Sequence, residues 1–131
     1  MAFFKRDNTH IYYEDVGRGE PILTNHGLSE DGNYWSETGI ASKLAERYRV
    51  VSIDMRAHGR TKVDGEPFGY DADTMAADFD ALADHLGIGK FHLLSHATGG
   101  MVAVRYGMTR SSRLISLMLT DTGSETRPRM Y

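Results

Sequence analysis

Three short stretches of this chain hold residue types that could do chemistry. The most telling is Ser95-His96-Ala97-Thr98-Gly99-Gly100. An apolar run of strand character, Phe91–Leu94, leads into it, and a helix-compatible run begins at Met101. Strand, abrupt turn, helix is the layout of a G-x-S-x-G corner. There a serine is held in a strained backbone conformation, so that its hydroxyl projects above a sheet and attacks a carbonyl. Residues two before and two after must be small, because strand and helix nearly touch; Ser95 and Gly99 meet that demand. Two positions depart from the pattern. Ser95 stands where the first glycine is usual, and Ala97 stands where the serine should be. Alanine has no oxygen with which to attack. A β-carbon at so strained a site costs stability and here brings no catalytic return. The expectation is therefore that a serine belonged at position 97 and was replaced.

The other two stretches are His26-Gly27, after the strand-like Pro21–Asn25, and Asp54-x-Arg56-x-His58-Gly59, after the apolar run Val50–Ile53. Other candidates fall away. Gly17-Arg18-Gly19 contains G-x-G, but no third glycine follows at the dinucleotide spacing and no helix opens after it. Asp73, Asp80 and Asp84 lie opposite an apolar stripe and read as a solvated helix face. Met101, Met108 and Met118 fit core packing. No phosphate-cradling loop and no metal-ligand cluster is present, so neither a cofactor nor a metal is expected.

The elements that must position these residues follow from pattern. The chain of 131 residues is one domain at most. Hydrophobic residues make up 40% and charged residues 25%, as in an ordinary globular protein, and a net charge of −3 argues against a nucleic-acid surface. With no cysteine there is no disulfide, thiolate nucleophile or Cys-based metal site. The start of the chain lacks an apolar targeting segment and no run is long enough to span a membrane, which reads as a cytoplasmic protein.

Strands are expected at Ala2–Lys5, His10–Val16, Pro21–Asn25, Val50–Ile53, Phe91–Leu94 and Leu114–Leu119. A helix from Tyr34 to Arg47 is expected from the apolar spacing of Ile40, Ala41, Leu44 and Ala45. A second runs from Ala72 to Leu86, with Asp71 or Asp73 as its cap and Gly87 as its stop, and a third from Thr98 to Met108. Alternating strands and helices make an α/β protein with a mostly parallel sheet of about six strands and helices on both faces.

Three motifs at consistent spacing, His26-Gly27, Asp54-x-Arg56-x-His58-Gly59 and the altered corner, resemble the α/β-hydrolase superfamily. The resemblance is to its esterase, lactonase and haloperoxidase-like branch, and it covers nearly the whole chain as the N-terminal part of that fold. It implies a nucleophile at position 97 and an oxyanion held by the backbone N–H groups of Leu28 and Thr98. It implies a substrate pocket shaped by His26, Gly27 and His96, with Tyr34 and Trp35 as possible lining. The substrate would be a small ester or lactone.

The family's histidine base and its cap domain belong beyond the sixth strand, so both are expected to be missing. None of the six histidines stands where the base belongs, and Asp121 reads more readily as a turn residue than as the acid. The unpaired sixth strand calls for a partner, either a C-terminal fragment or a symmetry-related copy. The rival reading is a protein that senses or carries a small ligand on the same scaffold and never needed a nucleophile.

Overall fold

The computed structural model describes residues 2–27, 30–65 and 70–120. Its strands are β1 (Ala2–Arg6), β2 (Thr9–Gly17), β3 (Glu20–Asn25), β4 (Tyr48–Ile53), β5 (Lys62–Val63), β6 (Phe91–His96) and β7 (Leu114–Thr120). The helices are α1 (Asn33–Glu37), α2 (Ile40–Leu44), α3 (Ala72–His85) and α4 (Gly100–Arg110). The sheet runs β1-β2-β4-β3-β6-β7. Strands β4, β3, β6 and β7 are parallel; β1 and β2 form the antiparallel edge.

The parallel strands are continuous apolar runs because both faces are covered. Leu23, Val51, Ile53, Phe91 and Leu93 face one way, into a core closed by Phe79 and Leu82 of α3 and Val102, Ala103 and Tyr106 of α4. Their neighbours Ile22, Val50 and Leu94 face the other way, against Trp35 of α1 and Ala41 of α2.

The structure departs from the sequence-based expectation in four places. Met101, Met108 and Met118, whose spacing fits core packing, are exposed on α4 and β7 instead. The single helix expected over Tyr34–Arg47 is two short helices, because Gly39 takes φ +80° in the left-handed region and breaks the run. A seventh strand, β5, pairs with β2 where a loop was expected. It is pinned by Thr61, whose hydroxyl donates to Asp54 O at 2.6 Å and accepts the Tyr12 amide at 3.0 Å. The aspartate face of α3 is not simply solvated. Asp80 accepts from the Tyr106 hydroxyl and from Arg110 Nε, and so bolts α3 to α4. Elsewhere the expected boundaries agree to within about two residues, and the Asp71 carboxylate caps α3 at the Thr74 amide.

Strand order reverses around β3, which has β4 on one side and β6 on the other. In open α/β sheets, ligands bind where the loops leaving such strands diverge. The loops leaving β3 and β6 here are the His26-Gly27 loop and the altered corner.

Candidate active site

The corner is built as its small residues demand. β6 ends at His96, a single 3₁₀ turn spans Ala97–Gly99, and α4 follows at once. Ala97 has φ +53°, a left-handed conformation that costs an L-residue about 1–2 kcal/mol. Gly99 leaves no room for a side chain, since a Cβ there would lie 2.1 Å from the carbonyl oxygen of His26. The Asn25 side chain adds a bond to Gly99 O at 2.8 Å, tying the end of β3 to the start of α4. A Cβ placed on Gly27 would stand 3.1 Å from the Ala97 methyl group, so position 97 faces the His26-Gly27 loop at contact distance. Ser95 is fully buried on the corner strand.

His26 holds this loop in place. It is fully buried, with Nε2 accepting the Met55 amide at 2.9 Å and Nδ1 2.8 Å from Gly27 O. Nε2 accepts, so Nδ1 carries the proton and donates. Both nitrogens are engaged and burial pushes the imidazole pKa down, so His26 is a neutral brace and not a base. The linkage has a definite sign. A histidine with a lowered native pKa binds its proton first in the unfolded chain, so its contribution is complete above about pH 6.5 and is lost as pH falls below that. A stability profile in urea between pH 8 and 5 should show this acid limb, and His26→Gln should flatten it. An unchanged slope would show that His26 is not held neutral.

Asp54 braces the neighbouring turn. Its carboxylate accepts the Gly32 amide at 2.7 Å and the Arg60 amide at 2.8 Å. Gly59, at φ +52°, packs against it so closely that a Cβ would lie 2.1 Å from Oδ2. In the same motif, Arg56 forms a buried ion pair with Asp78 of α3.

A cleft of about 530 Å³ opens beside the corner, walled by Glu30, Asp31, Tyr34, Glu37 and His58. Glu30 joins it to the corner. One of its carboxylate oxygens accepts the Gly27 amide at 2.7 Å, and the other lies 3.8 Å from His96 Nε2. The His96 ring stacks on Tyr34 with centroids 4.2 Å apart, and its Nδ1 lies 3.3 Å from the Tyr34 hydroxyl. Gly27, His96, Ala97 and Tyr34 are thus brought together.

Trp35 is not among them: it is 1% exposed and packs in the core against Ile22, Val50 and Leu94. Thr98 lies in the 3₁₀ turn, one residue after Ala97. Leu28 and Asp121 lie outside the described residues. Sequence reasoning passed over Glu30, Asp31 and Glu37 as loop and helix-start polarity; the signal that could have found them is three carboxylates within eleven residues of His26-Gly27. Among the described residues no cluster is fit to hold a metal ion, and no helix is long and apolar enough to cross a membrane.

Comparison with known proteins agrees with this geometry. The chain is 37% identical over 100 residues to a non-heme haloperoxidase of Rhodococcus erythropolis, covering 76% of this chain and 35% of that protein. It superposes on a thermophilic esterase of Thermogutta terrifontis with a TM-score of 0.82 at 31% identity, over 92% of this chain and 43% of that one. It superposes on Est816, an N-acyl homoserine lactone degrading enzyme, with a TM-score of 0.83 at 28% identity, over 93% and 46%. The chain therefore spans less than half the length of these relatives. Residues 20–130 match the family model described as the alpha/beta hydrolase fold. With the His26-Gly27 loop in contact with a strained corner at position 97 and this match over most of its length, the chain belongs to the α/β-hydrolase fold family.

Proposed function

We propose that the scaffold is that of a serine-type hydrolase of carboxylic esters or lactones, with its nucleophile seat occupied by Ala97 and its chemistry thereby silenced. The observation that carries the reading is the left-handed backbone at Ala97, a non-glycine residue at the junction of β6 and α4, facing Gly27. Such strain persists where the surroundings over-determine it, and it clusters at active sites. A substrate carbonyl would sit between position 97 and the His26-Gly27 loop. The N–H groups of Thr98 and Leu28 would hold the oxyanion, and His26, Gly27 and His96 would shape the pocket. Esterase, lactonase and haloperoxidase relatives support this class of reaction. The test is Ala97→Ser in the full-length context, assayed on aryl esters and lactones; no gain in hydrolysis there ends the reading. A ligand retained through purification, with the serine variant still inert, would support a small-molecule sensor on the same scaffold.

The reading includes a cytoplasmic location and a polypeptide partner. β7 is an edge strand, with Ile115 and Met118 exposed on it and Met101 and Met108 exposed on α4. Unpaired apolar edges recruit other strands. A C-terminal fragment or a second copy of this chain would cover this one. Size-exclusion chromatography should show the chain alone self-associating, and a stable monomer would count against the partner.

A further inference from the structure

The strongest unassigned cluster lies on the sheet face that α2 packs against, away from the cleft. His92 of β6 has a partner on each ring nitrogen. Nδ1 is 2.6 Å from Ser116 Oγ, and Nε2 is 2.6 Å from Glu20 Oε1. Glu20 is an acceptor when ionised, so Nε2 carries the proton and donates to it. Nδ1 is then a lone pair aimed at the Ser116 hydroxyl. This is a hydroxyl–imidazole–carboxylate chain of the kind that activates a serine.

Its assembly depends on an irregularity in the sheet. Phe91 pairs with Leu114, but His92 pairs with Ser116, so Ile115 is an extra residue bulged out of β7. Without the bulge, Ile115 would stand opposite His92. Bulges re-aim side chains in this way and are frequent near active sites. Glu20 reaches His92 along the diagonal, being two residues before Ile22, which pairs directly with His92. The Tyr48 ring stands edge-on to the imidazole at 6.0 Å and limits its rotation. In front of Ser116 lies a cavity of about 170 Å³ with Ile22, Leu44 and Met118 as apolar walls. It suits a short acyl chain.

We propose that Ser116 is a second nucleophile, independent of position 97, which takes the acyl group of small activated esters. Ser116 Oγ forms a bond to the acyl carbon as the bond to the leaving alkoxide or phenoxide breaks. The hydroxyl proton passes to His92 Nδ1, and Glu20 holds the resulting imidazolium. The imidazolium then returns that proton to the leaving oxygen, so the products are the acyl-serine and the released alcohol or phenol, with His92 neutral again.

The test uses the chain as it stands, with 4-nitrophenyl acetate, followed by peptide mapping of the acetyl group. A positioned base is worth ~10²–10⁴ in rate. Ser116 should therefore acetylate at least ~100-fold faster than the exposed Ser42 and Ser112 in the same sample. His92→Gln should bring Ser116 down to their rate, and Glu20→Gln should lower it by a smaller factor. If the histidine variant fails to fold, the same comparison in urea replaces it, because unfolding must abolish the advantage. Equal rates at the three serines in the folded chain would overturn the proposal, as would a Ser116 rate that survives His92→Gln or denaturation.

Discussion

A chain carrying Ala97→Ser should hydrolyse 4-nitrophenyl acetate at least ~10²-fold faster than the Ala97 chain once a base is supplied by a C-terminal fragment or by added imidazole. Two magnitudes set this range. Removing the nucleophile of a serine hydrolase costs on the order of 10⁶ in kcat. A general base accounts for ~10²–10⁴ of such a rate. The two act as a unit: losing the serine or the histidine alone costs about as much as losing both, so a serine without its base keeps little of that factor. His26 cannot serve as that base, because both its nitrogens are bonded. The exchange itself should leave the fold unchanged. Alanine already bears the strain of a β-carbon at φ +53°, so serine adds only an oxygen, on the side facing Gly27. An unchanged urea midpoint checks that point. Measuring initial rates in a Ser116→Ala background removes the second serine, so that the two sites fail or succeed separately. No rise in rate in that background with the base present would show that position 97 is not a nucleophile seat.

What the sequence made legible was whatever is written in local pattern. The corner could be read because its neighbours are small for a steric reason, and the structure shows that reason as the His26 carbonyl pressed against Gly99. The parallel strands could be read because burial on both faces makes them apolar throughout. The break between α1 and α2 was hidden because helical spacing continues on both sides of Gly39. Periodicity carries no sign of a single left-handed residue. β5 is two residues long and has no period to read. Tyr34 and Trp35 are adjacent, so pattern could not say which faces the cleft and which the core; the sheet decides it by burying the larger ring. Glu30 acts through the Gly27 amide, a contact that exists only once the loop closes. Nor does anything local mark Asp78, whose partners come from β1 and from the turn after β4.

Asp78→Ala should destabilise the fold by about 3–5 kcal/mol, the usual cost of breaking a buried ion pair from one side. The Asp78 carboxylate accepts Arg56 Nε at 2.8 Å and Nη2 at 3.0 Å, and Arg6 Nη1 at 2.6 Å. The Arg56 side chain is fully buried, and its hydrogen bonds to Asp78 outweigh burial in raising its pKa. Without the carboxylate that charge is still buried and loses the two hydrogen bonds and the negative charge that Asp78 supplies. Arg6 is 27% exposed and can turn to water, so its loss is small. For a domain of this size the melting temperature should fall by roughly 10–15 °C. The double variant Arg56→Met with Asp78→Leu should recover most of that loss, because replacing a buried pair by apolar side chains of similar size is often close to neutral. A single variant as stable as the parent would show that Arg56 finds enough compensation elsewhere. The consequence reaches the cleft. Arg56 anchors the turn that carries His58, a wall of the cleft, and the Met55 amide that His26 accepts. Asp78→Ala should therefore also loosen the His26-Gly27 loop, raising amide exchange at Met55 before that of β4.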